Sequence, residues 1–535
     1  MKIYSITPGF NLQKNNYVSG MPTKSTPAAL VPKTLNLNGV PRAYISFGEN
    51  NKINDKKRRA EIAKYLEYRD KAKDLERGDA YYNELVNARI EGLIKERSHY
   101  GSITGKYKIG KVKKLERLRI KKELYEKYIH EKEEYKKIKE NESYYKGLIS
   151  TEDIEVYEKV KQKLSERASL DKKIAGYAEL KDTVKKLIID PIQRETALDT
   201  NEKLPPALLL YGPIGCGKSK LAKAIAQEAN CNVVEFPAKL NPRKFAGEIK
   251  DTMDEAKSYY ESQKKLIDNK YNDTRYKNGN IDQKASYIAN LKSPRTIVVI
   301  DEVDQYFNPN TAGNSEDIAD VNKTLLKGLL DYCSEQPGAK TSADAAGVTF
   351  IFTTNYPTIV DSEISLRNGK CKRAQVALPE DSDIKDIMKF YIVNSANPAI
   401  QEAKEQGKNV NPLDAEQIPY NSYLKFVQPT QETGAFSGAG IESAVKQAAV
   451  NYISDPEMYM NIHLAKLLSS GVYRIPMDKL EEYKKEMEAM GKLLKDIDEK
   501  EEYELLKDLK ELDMITQKQQ TRLELLKSAY ETSGK

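Results

Sequence analysis

Leu208-Leu209-Leu210-Tyr211-Gly212-Pro213-Ile214-Gly215-Cys216-Gly217-Lys218-Ser219 decides the fold of this 535-residue chain. The first four residues read as a short buried strand. G-x-x-x-x-G-K-S follows at 212–219, and Leu221-Ala222-Lys223-Ala224-Ile225-Ala226 then reads as a helix. Strand, glycine-rich loop, helix is the context that gives this motif physical meaning. Glycines let the backbone curl so that successive N–H groups point inward as an anion nest. The helix N-terminus adds its partial positive charge. Such a loop fits a nucleotide's phosphates, here over Gly212, Pro213, Ile214, Gly215, Cys216, Gly217, Lys218, Ser219 and Lys220. Lys218 has the reach to meet the β/γ-phosphates of ATP, and the Ser219 hydroxyl suits Mg²⁺.

A second element answers the first. Thr296-Ile297-Val298-Val299-Ile300 is a β-branched run, the mark of a central parallel strand buried on both faces. It ends in Asp301-Glu302, and the carboxyl end of such a strand is where open α/β sheets bind ligands. Asp301 suits Mg²⁺, directly or through water, and Glu302 suits polarising the water that attacks a γ-phosphate.

Composition bounds the rest. The charged fraction is 31% and the hydrophobic fraction 39%, polar for a compact enzyme, which points to a globular module flanked by solvated helices. A net charge of +7 permits an acidic partner without demanding one. Cys216, Cys231, Cys333 and Cys371 form no C-x-x-C pair and read as reduced thiols, and His99, His130 and His463 lack zinc-ligand spacing. No apolar run reaches the length of a membrane span, and the N-terminus lacks a signal-peptide core, so a cytoplasmic protein is expected.

Along the chain, residues 1–50 are rich in Asn, Pro, Thr, Ser and Gly and read as loosely ordered. Residues 51–169 turn to Lys, Glu, Arg, Tyr, Leu and Ile. Leu115, Leu118, Tyr125, Tyr128, Ile129, Tyr135 and Ile138 recur mostly at helical spacing, with a break at Gly101–Gly110. The heptad is not strict, which leaves a parallel coiled coil open. Residues 51–170 carry roughly +9, an excess that can favour nucleic acid, but tyrosines at helical spacing favour helix packing over base stacking.

From Ile174 to about Met490 the chain resembles the classical AAA subfamily of AAA+ ATPases. Gly212–Ser219 and Asp301-Glu302 match its Walker A and Walker B motifs. Ile174-Ala175-Gly176-Tyr177 is similar to its segment before the first strand, which implies that Ala175 and Gly176 pack against adenine. Asn355, after the strand 348–352, matches sensor 1 and so implies a residue that holds the attacking water or the γ-phosphate. Leu366–Arg373 resembles the arginine-finger segment, with Arg373 on the second finger position and Lys370 on the first, a departure. Arginine offers phosphate a planar fork and lysine a point charge, so Lys370 bears on turnover. Gly434–Glu442 resembles the helical-lid motif, which implies that Gly438 and Ala439 approach the base. Phe245-Ala246-Gly247 matches the pore loop that grips substrate polypeptide, just before a helix expected to start near Lys250.

The expected architecture is a P-loop NTPase of the α/β class. A doubly wound parallel sheet spans residues 170–378 and a helical lid 379–490, with helical appendages at 51–169 and 491–535. Tyr260–Lys292 is an insertion relative to the family and is expected to be exposed. The resemblance implies Mg²⁺-dependent hydrolysis of ATP. Glu302, Lys218, Asn355 and Arg373 would carry the catalysis, with Ser219 and Asp301 on the metal. It also implies a homo-oligomeric ring, a hexamer, remodelling or threading a protein. A nucleic-acid-directed ATPase and a scaffold with weak turnover are the alternatives.

Overall fold

The computed structural model describes residues 51–87, 109–167, 169–199, 204–236, 241–331, 341–360, 371–427 and 434–489, with scattered positions between 503 and 527. Residues 1–50, the Gly101–Lys108 part of the expected helix break, Cys333, Lys370 and nearly all of 491–535 lie outside them. Two units divide at Lys57/Arg58. The described part of the first is only the start of the helix Asn51–Glu76, and the sheet, the lid and the insertion all belong to the second.

Five strands form one parallel sheet: β1 (Ala207–Tyr211), β2 (Asn232–Phe236), β3 (Thr296–Ile300), β4 (Val348–Thr354) and β5 (Cys371–Gln375), in the order β2-β3-β4-β1-β5. β3, β4 and β1 take the centre because their runs are apolar on both faces; all residues of β3 and β4 are buried. Successive side chains alternate between two cores. Leu208 and Leu210 pack with Ile188 and Ile225 on one face. Ala207 and Leu209 pack with Phe245 and Tyr306 on the other.

A separate core holds the lid. Met388, Ile392, Ile400, Ile441, Val445 and Leu464 gather the helices Asp381–Tyr391, Asn397–Glu405, Gly438–Ser454 and Met460–Ser470. The lid also carries a short antiparallel ribbon, β6 (Ala435–Phe436) against β7 (Arg474–Ile475).

The insertion is not an exposed appendage. Its helix Ile281–Ala289 packs on the helix Thr151–Ser165 through Val156, Val160, Leu164, Ala285 and Ile288. Lys270, fully buried, donates to the Thr196 and Ala197 carbonyls at 2.8 and 3.3 Å and to Asp199 Oδ1 at 2.9 Å. Those groups close the helix Asp190–Leu198, whose carbonyl end favours a cation. An amphipathic segment rich in lysine and tyrosine reads as solvated when its partner helix, more than a hundred residues upstream, is out of view.

Upstream, two helical stretches run antiparallel within the chain. Tyr145 donates to Glu61 Oε2 at 3.1 Å, Lys71 to Glu131 at 3.0 Å, and Tyr82 to the Lys121 carbonyl at 2.8 Å. Tyr68, Leu75, Tyr82, Tyr128 and Ile138 fill the seam, as their helical spacing predicts.

Candidate nucleotide site

The site stands at the carboxyl end of the sheet, where β1 breaks into the loop 212–217 and the helix Lys218–Glu228 begins. Two glycines make the turn possible. A Cβ on Gly212 would lie 2.1 Å from the Val376 carbonyl oxygen, so no larger residue fits beside β5. Gly217 has open space around it but a φ of 88°, the left-handed region that only glycine adopts freely, and it caps the helix there.

Lys218 is the first residue of that helix and is 7% exposed. Its ammonium donates to the Gly212 carbonyl at 3.0 Å, the Pro213 carbonyl at 2.8 Å and Asn355 Oδ1 at 2.7 Å. Burial pulls its pKa below the ordinary lysine value, against the pull of nearby Asp301, Asp304 and Glu302. Ser219 donates to Asp301 Oδ1 at 2.6 Å. Glu302 sits in the left-handed region with φ 50° and ψ 51°, and Gln305 Nε2 donates to its Oε2. Burial, then the Asp301 and Asp304 carboxylates, raise the Glu302 pKa above the usual carboxylate value.

Thus Lys218, Ser219, Asp301, Glu302 and Asn355, widely spaced in the chain, meet at one end of the sheet. Two further groups join them that the motifs do not contain. Thr353 bonds Asp301 and the Glu302 backbone. Buried Asp304 accepts from Thr354 Oγ1 at 2.6 Å. Both threonines lie inside β4, which runs two residues past the expected end of that strand.

The lid reaches the loop directly. Ala439 N–H donates to the Gly215 carbonyl at 2.9 Å, so the Gly438-Ala439 turn stands against the phosphate loop. Gly176 is buried and Ala175 half-buried against the lid core, and Tyr177 N–H donates to Asp383 Oδ1 at 2.6 Å. Ile214 is exposed at the loop's tip. Cys216 turns its thiol into the core, where burial pushes its pKa up to about 12, so it packs rather than reacts. Lys220 points away from the loop, donating to the Tyr391 hydroxyl of the lid at 3.0 Å. Arg373 is half-buried mid-strand in β5 opposite Leu209 and is not a member of the cluster.

The pore-loop expectation is overturned. Phe245 is fully buried, stacked on Tyr306 at 4.3 Å and edge-on to Phe236 at 6.0 Å. Asn241 caps and Pro242 opens a helix Pro242–Asp268, eight residues earlier than expected at Lys250, so Phe245 falls on its buried face. Ala246 is half-buried and Gly247 exposed on the same helix. No substrate-gripping aromatic stands at this position.

The donor set fits a nucleotide with Mg²⁺. The Ser219 hydroxyl and Asp301 carboxylate are adjacent hard oxygen donors, and Lys218 supplies the cation. Mg²⁺ takes few protein ligands and completes its shell with phosphates and water.

A parallel sheet of this order, with a glycine-rich phosphate loop after β1 and an acidic pair after β3, defines a P-loop NTPase. Residues 208–377 match the model of the ATPase family associated with various cellular activities, and they are an AAA domain of that family. The chain is 26% identical over 239 residues to a proteasome-activating nucleotidase of Methanococcus maripaludis, covering 44% of this chain and 49% of that one. It is 25% identical over 279 residues to the human outer mitochondrial transmembrane helix translocase, covering 52% and 60%. The chain thus spans about half the length of the curated relatives it matches.

Proposed function

We propose that this protein hydrolyses ATP to ADP and phosphate and uses the energy to remodel or thread a protein substrate. The observation that carries the reading is the convergence of Lys218, Ser219, Asp301, Glu302 and Asn355 at one end of the sheet. Lys218 would exchange its carbonyl and Asn355 partners for β/γ-phosphate oxygens. Ser219 and Asp301 would hold Mg²⁺, which when bound neutralises charge on the phosphate oxygens. Glu302 would take the proton of the attacking water. Asn355 would hold the water or the γ-phosphate.

Ala175, Gly176, Gly438 and Ala439 would enclose the base between core and lid. Arg373 would act from a neighbouring copy in a ring, six copies being what the resemblance implies. A protein substrate is supported by the relatives, named for activating the proteasome and for translocating transmembrane helices. A cytoplasmic setting is part of the reading, supported by cysteines without disulfide spacing. Among the described residues no helix is long and apolar enough to cross a membrane.

Phosphate release by the full chain is the test. Lys218→Ala should abolish nucleotide binding. Glu302→Gln should bind ATP and hydrolyse it about 100-fold more slowly or worse. Parent-rate hydrolysis by Glu302→Gln would remove Glu302 from the role of base.

A further inference from the structure

We propose that Thr353 is a positioning residue of this site. Its single hydroxyl ties the Asp301 carboxylate to the main chain of Glu302, so that the acid facing the metal and the acid facing the water share one geometry. The inference rests on the ATPase reading above.

The register makes the contact. β3 ends at Ile300, paired with Phe352, while β4 continues to Thr354. The next residue of β4 therefore stands beside the turn at Asp301-Glu302. Thr353 is 1% exposed there. Its hydroxyl has one proton to give, and it gives it to Asp301 Oδ1. Thr353 Oγ1 itself accepts the Glu302 N–H at 3.1 Å. The one proton and one of the two lone pairs are thus committed, which links the Glu302 N–H through Thr353 to Asp301.

Both ends of that chain need holding. Asp301 Oδ1 also accepts from Ser219, so Thr353 and Ser219 together fix where the carboxylate faces. Glu302 adopts a left-handed backbone that a side-chain-bearing residue keeps only when its surroundings hold it. Valine has the shape of threonine without the hydroxyl. It would leave the half-buried Glu302 N–H without this acceptor and Asp301 one donor short.

The test uses the full chain with Thr353→Val and Thr353→Ser, a thermal melt of each, and two measurements. Affinity for a non-hydrolysable ATP analogue is titrated with and without Mg²⁺, and kcat and KM are measured for ATP. Thr353→Val should bind the analogue without Mg²⁺ as the parent does and lose most of the tightening that Mg²⁺ brings. Its kcat should fall about ten-fold or more, and its KM for ATP in Mg²⁺ should rise in step with the lost tightening. Thr353→Ser should recover both. Should the valine variant fail to fold, Thr353→Ala against Thr353→Ser asks the same question, since only serine keeps the hydroxyl. Parent kcat and parent Mg²⁺ response in the hydroxyl-free variants overturn the proposal, and so does a serine variant as impaired as valine. A parent that binds the analogue yet hydrolyses no ATP refutes the ATPase reading instead, while the Mg²⁺ titration still reads Thr353. A parent that binds no nucleotide overturns both.

Discussion

The ammonium of Lys218 lies 2.7 Å from the side-chain oxygen of Asn355. With the Gly212 and Pro213 carbonyls it has three acceptors for three protons. An incoming phosphate therefore competes with partners already in place, and Asn355 is the one that sits across the sheet on the segment after β4. Asn355→Ala should free one donor of Lys218. We expect ATP affinity no weaker than the parent's and hydrolysis at least about ten-fold slower, because the group that would hold the water is gone. Weaker binding with unchanged turnover, read by calorimetry and phosphate release, would reverse the assignment.

If Arg373 works from a neighbouring copy, activity per molecule should rise with protein concentration. Arg373→Ala and Lys218→Ala proteins, each inactive, should regain activity when mixed, since a mixed interface holds one intact half from each. A finger supplied in trans is worth orders of magnitude in rate, so the regain is easily measured. Mixtures as silent as their components would place the active unit within one chain.

Phe245 belongs to the core on the Leu209 face of the sheet, so its removal should cost stability. Phe245→Ala should lose about 3–5 kcal/mol, seen as a lower melting temperature and denaturation midpoint. A melt like the parent's would contradict the burial of this ring against Tyr306.

Lys270 makes a similar claim for the insertion. Lys270→Met keeps most of the volume but leaves the carbonyl end of Asp190–Leu198 and the Asp199 carboxylate without their cation. We expect a loss of about 3 kcal/mol, the scale for unpairing a buried ion. Lys265→Met, at an exposed position five residues away, should stay within about 0.5 kcal/mol. Equal effects of the two would mean that the buried ammonium contributes nothing particular.

The phosphate loop, the acidic pair and the sheet were legible because each rests on local signals: glycine spacing, β-branched runs, and a strand followed by a helix. What escaped were relations between distant segments. Thr353 looks like an ordinary strand-end residue until β4 is known to outrun β3. Asp304 is an unremarked acid until Thr354 is placed over it. Phe245 matched a motif by spacing, but Asn241-Pro242 is a helix start with its own signal, and reading it would have put the ring inside. The insertion hid its partner in the same way: Ile281–Ala289 has a buried face only because Thr151–Ser165 offers one.

That pairing gives the upstream helices a mechanical meaning. Lys161 on Thr151–Ser165 bonds Asp70 at 2.5 Å, beside the contact between Lys71 and Glu131. From Glu131 the helix runs back to Ile109, about 33 Å at the rise of an α-helix. The antiparallel pair is thus moored to the sheet-bearing core through the helix Thr151–Ser165 and the insertion helix Ile281–Ala289.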